Sequence, residues 1–263
     1  MLTLTRSDMR SRPMSKIEPL QHPPLLRPNA DALFLDLDGT LLDIAEHPDD
    51  VRASAELLAL LARLDNAMSG AVALITGRSV ADADAILAGA VGAVAGVHGA
   101  EMRYTVASTV RWNSDNAPVW AARADAYALA NRLKLLVEDK RGSLALHYRH
   151  APELAAETLA GAEQIAARYG LRVMQGQMVV EMIAGLRTKG DALSAFMNIA
   201  PFAGRRPVAV GDDITDEDAF QSAHACCGFG VLVGQPRTSA ATFGLDGPAS
   251  VAAWLEASVS GPA

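Results

Sequence analysis

Asp36-Leu37-Asp38-Gly39-Thr40 follows directly on the apolar run from Ala32 to Leu35, which puts two carboxylates just past the end of a buried strand. Side chains at i and i+2 of an extended segment share a face. Asp36 can therefore attack phosphorus while Asp38 reaches the leaving oxygen, and Gly39 lets the chain turn behind them. The arrangement points to phosphoryl transfer. A second acidic cluster, Gly211-Asp212-Asp213-Ile214-Thr215-Asp216-Glu217, follows another apolar run, Val208-Ala209-Val210. A calcium loop counted from Asp36 needs Gly at its sixth position and an acidic residue at its twelfth. Those places hold Leu41 and His47, which excludes that reading. An ordinary acidic strand-to-loop turn stays open for either motif taken alone.

Between the clusters lie groups suited to phosphate. Ala71 to Ile75 reads as a buried strand ending in Thr76-Gly77-Arg78-Ser79, a hydroxyl and a cation where a helix begins. Lys189 opens a helical stretch through Phe196, and one ammonium there can neutralise carboxylates and phosphate together. No Walker pattern surrounds it. The glycine-rich run from Ala88 to Gly99 and Gly228-Phe229-Gly230 both lack G-x-G-x-x-G, so no nucleotide loop is indicated.

These groups need a scaffold. Strands expected at about 32 to 37, 71 to 75, 91 to 95, 207 to 211 and 228 to 233 alternate with helices at about 51 to 64, 79 to 88, 188 to 198 and 216 to 223. That alternation is α/β, a doubly wound parallel sheet whose chemistry gathers at the carboxyl ends of the strands. From 103 to 184 the pattern changes to a strand, a long helix 118 to 138, a strand 143 to 148, a helix 152 to 168 and short strands near 171 to 174 and 178 to 182. We read this as an inserted α+β cap domain, the core being 31–102 with 185–263.

Charge narrows the partners. Residues 1 to 30 hold five Lys/Arg and two acidic residues, net +3, leaving −10 for the rest of a chain of −7 overall. The proline-bearing, aperiodic tail 1–30 is expected to be disordered or loosely attached. An acidic body is a poor nucleic-acid surface, and it would repel an anionic substrate unless a divalent cation inverts the local field. No apolar stretch reaches the ~18 residues of a membrane span, and the first residues lack a signal peptide's hydrophobic centre. A cytoplasmic protein with no membrane or nucleic-acid partner is expected. Adjacent Cys226 and Cys227 read as buried thiols, since a mutual disulfide would be strained.

Asp-x-Asp-Gly-Thr, Thr-Gly-Arg, Lys-Gly and Gly-Asp-Asp-x-Thr-Asp-Glu, in this order, resemble the motifs of the haloacid dehalogenase (HAD) superfamily. More narrowly, Leu33 to Val51, Gly96 to Glu101, Glu138-Asp139-Lys140 with His147-Tyr148-Arg149, and Gly211 to Phe220 are similar to the trehalose-6-phosphate phosphatase family. The resemblance spans about residues 31 to 255. It implies a Rossmann-like HAD core and hydrolysis of trehalose 6-phosphate, the last step of trehalose biosynthesis, through an aspartyl-phosphate. It further implies Asp36 as nucleophile, Asp38 as acid and base, and Thr76 with Lys189 on the phosphate. Mg²⁺ would sit on the Asp36 carboxylate, the Asp38 carbonyl and Asp212, with Asp213 and Asp216 behind or pairing Lys189. The sugar candidates it offers are Arg78, His98, Gly99, Glu101, Glu138, Lys140, Glu181 and Arg187.

Each of these also has a structural reading: a solvated charged turn for Glu138 and Lys140, an ion pair for Arg78, a surface position for Arg187, a core histidine for His98. Other functions share the motifs. A phosphatase for another sugar phosphate, of sucrose-phosphate or mannosyl-phosphoglycerate type, would differ only in the cap. A catalytically silent module coupled to a trehalose-phosphate synthase would dispense with Asp36, Asp38, Lys189 or Asp212, and all four are present.

Overall fold

A computed structural model describes residues 19–44, 51–105, 107–112, 117–140, 142–184 and 188–260. The first part of the chain runs through β1 (Asp31–Leu35), α1 (Ala55–Ala67), β2 (Val72–Ile75), α2 (Val80–Leu87), β3 (Ala93–Gly96), β4 (Glu101–Arg103) and β5 (Arg111–Trp112). An insert follows with α3 (Ala117–Leu133), β6 (Leu136–Lys140), β7 (Ser143–His147), α4 (Ala155–Tyr169), β8 (Leu171–Gly176) and β9 (Val179–Ala184). The chain then returns through α5 (Lys189–Met197), β10 (Arg206–Gly211), α6 (Glu217–Ala225), β11 (Phe229–Val233), β12 (Phe243–Leu245) and α7 (Pro248–Ser260).

β1, β2, β3 and β11 are buried at every position, as strands covered on both faces must be. The main sheet has the order β12-β11-β10-β1-β2-β3-β4-β5, parallel from β12 to β3 and antiparallel beyond. Strand order reverses between β1 and β10, the switch point outside which open α/β sheets bind ligands. Serine and threonine fix the helix starts there: Ser79 accepts from the Asp82 amide ahead of α2, and Thr188 with Asp191 forms a capping box ahead of α5. Phe34, Phe196 and Phe202 pack ring against ring beneath the site, with centroids 5.2 to 6.1 Å apart.

The insert has its own antiparallel sheet, β6-β7-β9-β8, and its own apolar cluster, in which Val119, Ala122 and Ala126 of α3 meet Leu144, Leu146 and Met182. The main sheet continues past residue 103, because β5 pairs with β4. β5, which falls within the range read as insert, thus belongs to the larger sheet.

Several expectations are corrected. The helix expected over 118 to 138 stops at Leu133, because Lys134 takes a left-handed conformation (φ 57) and the Leu135 amide donates back to the Ala130 carbonyl at 2.9 Å. Glu138 and Lys140 therefore lie on strand β6, not at a helix end. Residues 19–30 are not loose: Leu26 is buried, its amide donates to Ser258 Oγ, and the Trp254 indole donates to the Pro24 carbonyl. Residues 1–18 lie outside the described residues. Cys226 and Cys227 are exposed, because α6 ends there and Cys227 turns the chain with φ 59. The core also carries β12 and α7, which the sequence pattern did not announce.

Candidate active site

β1 and β10 end side by side: Leu35 pairs with Val210, and the Asp36 amide donates to the Val210 carbonyl at 2.9 Å. Two acidic motifs distant in sequence thus leave the sheet one strand spacing apart. Carboxylate oxygens of Asp36, Asp212 and Asp216 lie within 4.8 Å of one another. The capping box holds Lys189 at the first position of α5, and its Nζ donates to Asp36 Oδ1 and Asp216 Oδ1, each at 2.7 Å. Gly39 makes room for Asp212. Its φ is +81, and a Cβ there would fall 2.1 Å from Asp212 Oδ2, so any side chain would expel the carboxylate.

Burial dominates the electrostatics. It raises the Asp36 carboxyl well above its ordinary range; Lys189 opposes the shift while Asp216 and Asp212 reinforce it. Asp212 is pushed up to about 6, by burial and then by Asp216. Burial disfavours the Lys189 ammonium, yet Asp216 and Asp36 more than offset it and its pKa rises. Three acids and one cation converge at this point. The donors are hard oxygens, which suit Mg²⁺. Ligands about 2.1 Å from such an ion lie at most ~4.2 Å apart across it, so the cluster fits one ion with a small closure.

Asp38 faces elsewhere. Its two oxygens accept from Arg78 Nε and Nη2, both at 2.7 Å, in a bidentate pair. Thr76 is buried at the end of β2, where its Oγ accepts from the Arg78 amide. His98 sits on a tight turn with φ 54, next to Val97 with φ 47, its amide donating to the Thr76 carbonyl at 3.0 Å. Its Nε2 lies 3.6 Å from Glu181 Oε2, an ion-pair distance that joins the core to the insert.

Glu181 is the hub of the insert's polar face. It accepts from Ser143 Oγ, and Lys140 Nζ stands 3.5 Å from its Oε1 and 3.7 Å from Glu138 Oε2. His147 Nε2 lies 3.0 Å from Glu138. Lys140 and His98 overcome burial, and the Glu181 carboxyl drops to about 2.

A cleft of about 410 Å³ opens on Asp36, Asp38, Thr76, Lys189 and Asp212, with His98 on its wall. Asp213 borders it, exposed, with its carboxylate accepting from the Ile214 amide. Of the sugar candidates, His98 lines this cleft while Arg78, Glu138, Lys140 and Glu181 do not, and two more lie apart from it. The Glu101 carboxylate accepts from the Val80 amide at 2.7 Å, closing the start of α2, whose first amides lack partners within the helix. Gly99 (φ +101) packs against α5, where a Cβ would fall 3.1 Å from that of Ala192. Neither lines the cleft. Arg187 lies outside the described residues.

Residues 34–246 match the family model described as trehalose-phosphatase. A protein of Sinorhizobium fredii named "Probable trehalose-phosphate phosphatase" is 39% identical over 221 residues, which are 81% of each chain. The trehalose-6-phosphate phosphatase of Escherichia coli is 37% identical over 241 residues, 91% of this chain and 90% of that one. The chain belongs to the trehalose-phosphatase family. Among solved structures, the C-terminal domain of Candida albicans trehalose-6-phosphate phosphatase shares the fold, with a TM-score of 0.77 at 19% identity, covering 89% of this chain and 94% of that one.

In this trehalose-phosphatase family member the insert adds two residues to the cleft, one from a segment that carries the resemblance and one that sequence reasoning did not single out. Arg149, of the His147-Tyr148-Arg149 segment, follows β7, and Gln177, which carries no motif, sits at the tip of the β8–β9 hairpin; both line the cleft. Ile44, Gly77 and Thr215 complete the wall. The signal that could have found Gln177 is positional: it occupies a turn between strands of the sheet that carries Glu138, Lys140 and Glu181.

Proposed function

We propose that this chain hydrolyses trehalose 6-phosphate to trehalose and phosphate, with Asp36 as nucleophile and Asp38 as proton shuttle. The P–O bond to the sugar breaks as a bond from an Asp36 oxygen to phosphorus forms, and Asp38 gives its proton to the departing oxygen. Asp38 then takes a proton from the water that attacks the aspartyl-phosphate. Phosphate leaves and Asp36 is restored. Asp36, Asp212 and the Asp38 main-chain oxygen would hold Mg²⁺, which when bound would supply the positive charge that admits a phosphate dianion to this acidic cluster. Lys189 keeps Asp36 oriented, and with Thr76 it meets phosphate oxygens whose charge grows in the transition state.

The observation that carries this reading is the convergence of Asp36, Asp212 and Asp216 on Lys189 at the sheet's switch point, in a chain of this family. Substrate choice is assigned to the insert. Glu138, Lys140 and Glu181 present two carboxylates and an ammonium on one sheet face, groups that grip sugar hydroxyls in paired hydrogen bonds, and His98 joins them from the core. No helix among the described residues is long and apolar enough to cross a membrane, and a phosphorylated sugar is a substrate of the cytoplasm, where we place the reaction. Coupling to a synthase supplying trehalose 6-phosphate would serve the same end.

Phosphate release across a panel of sugar phosphates tests the proposal, with Asp36→Asn as control. Trehalose 6-phosphate should be the preferred substrate and Asp36→Asn inactive. Preference for a sucrose or mannosyl phosphate would reassign the insert, and turnover by Asp36→Asn would remove the nucleophile assignment.

A further inference from the structure

Asp212 leaves β10 into a short turn whose internal hydrogen bonds are few. The Asp213 amide donates to Asp216 Oδ2, the Asp216 amide to the Asp213 carbonyl, and the Ile214 amide to Asp213 Oδ1. None of these holds the Asp212 main chain from outside the turn. Arg237, on the loop after β11, does. Its Nη2 donates to the Asp213 carbonyl at 2.8 Å and to the Asp212 carbonyl at 3.3 Å. Its Nη1 pairs with Glu217 Oε1 at the start of α6. Glu217 is anchored in turn: its Oε2 accepts from the Ala240 amide at 2.7 Å and from Ser239 Oγ at 3.2 Å.

Two consequences follow from this arrangement. The guanidinium is neutralised by Glu217, so it can fix two carbonyls beside a cation site without opposing the cation. The Asp212 carboxylate also occupies the space over Gly39 that a Cβ would fill, at 2.1 Å, so a small rotation of the Asp212 main chain would move the carboxylate out of the three-acid cluster. Arg237 lines a second cleft, of about 490 Å³, which shares Asp212 and Ile44 with the first. It does not line the cleft that holds Asp36 and Lys189.

We propose that Arg237, braced by Glu217, is a positioning residue for Asp212 that sets the affinity of the site for its divalent cation without touching the substrate. The proposal rests on the reading of Asp212 as a cation ligand. Groups that orient a metal ligand from behind change metal affinity by roughly 10- to 100-fold when removed.

The test is calorimetric titration of Mg²⁺ into metal-free parent, Arg237→Ala, Arg237→Lys and Arg237→Gln proteins, with substrate kinetics on the same preparations. Arg237→Ala should weaken Mg²⁺ by about tenfold or more. Arg237→Gln, whose amide can still donate to a carbonyl, should recover part of the loss. KM for trehalose 6-phosphate at saturating Mg²⁺ should stay at the parent value, and kcat should return as Mg²⁺ is raised. If Arg237→Ala cannot be obtained folded, the Lys and Gln variants carry the same comparison. An unchanged Mg²⁺ affinity in the variants, with measurable binding by the parent, overturns the role of Arg237 alone. A parent protein that binds no Mg²⁺ removes the metal reading itself, and this inference with it.

Discussion

Both carboxylate oxygens of Asp38 accept from the Arg78 guanidinium at 2.7 Å, while Asp36, two residues earlier, is held by Lys189. The two acids of one strand end are thus separated by their partners, one drawn into the acidic cluster and the other kept out of it. Division of labour follows. Asp38→Asn should still bind trehalose 6-phosphate but lose about 10² to 10⁴ in kcat, the range of a positioned acid or base. The loss should be smaller on an aryl phosphate, whose leaving group departs without a proton. Arg78→Ala should reproduce the Asp38→Asn pattern, a kcat loss larger on trehalose 6-phosphate than on the aryl phosphate, because it acts through Asp38. A raised KM for trehalose 6-phosphate at unchanged kcat would move Arg78 to the sugar.

Metal removal should abolish the reaction. Asp36, Asp212 and Asp216 crowd within 4.8 Å with a single ammonium between them, a field that repels a phosphate dianion. EDTA should remove activity and Mg²⁺ restore it, whereas Ca²⁺ should restore it poorly because its larger, looser shell misplaces the nucleophile. Full turnover after chelation, with elemental analysis showing no metal, would contradict this.

Legibility from sequence followed the physics of each segment. β1 and β10 stood out because strands buried on both faces read as unbroken apolar runs, and the chemistry sits on their ends. The switch in strand order that brings Asp36 beside Asp212 is a long-range pairing, and only the recurrence of the pattern hinted at it. The stop at Lys134 was invisible, since a lysine in a left-handed conformation carries none of the signal of a C-terminal glycine. Glu101 is offered by the resemblance alone, and its carboxylate accepts from the Val80 amide at the start of α2, a pairing no local pattern announces. Leu26 and Pro24 looked like tail because their partners, Ser258 and Trp254, lie at the far end of the chain. Arg237 carries no motif at all.

The insert's contribution separates from that of the core by substrate. Lys140 stands between Glu138 and Glu181 on one face of the small sheet, at 3.7 and 3.5 Å; on the proposed function it would exchange these partners for sugar hydroxyls. Binding energy from the non-reacting ring then serves orientation and exclusion of water. Glu138→Ala or Lys140→Ala should cut kcat/KM for trehalose 6-phosphate by about 10², equivalent to ~3 kcal/mol of transition-state stabilisation. Hydrolysis of a small aryl phosphate should change little. Equal losses on both substrates, with circular dichroism unchanged, would assign these residues to the general site instead.

Glu181 should make the stability of the metal-free protein depend on acid. Its carboxyl drops to about 2 from an ordinary 4.5: burial alone would raise it, and Lys140, His98 and Ser143 outweigh that penalty. In the unfolded chain the group takes its proton near 4.5, in the folded chain near 2, so between those values the unfolded state binds more protons. The stabilisation is fully present above about 4.5 and drains away as pH falls toward 2. Glu181→Gln should cost about 2 kcal/mol at neutral pH, below the roughly 3–5 kcal/mol of a broken isolated buried pair, because Lys140 keeps Glu138. Urea unfolding of parent and variant over a pH series should give a gap that is constant above about pH 5 and narrows below it. A gap that does not change with acid, or a variant as stable as the parent at neutral pH, would mean that the His98–Glu181–Lys140 contacts do not hold the insert to the core.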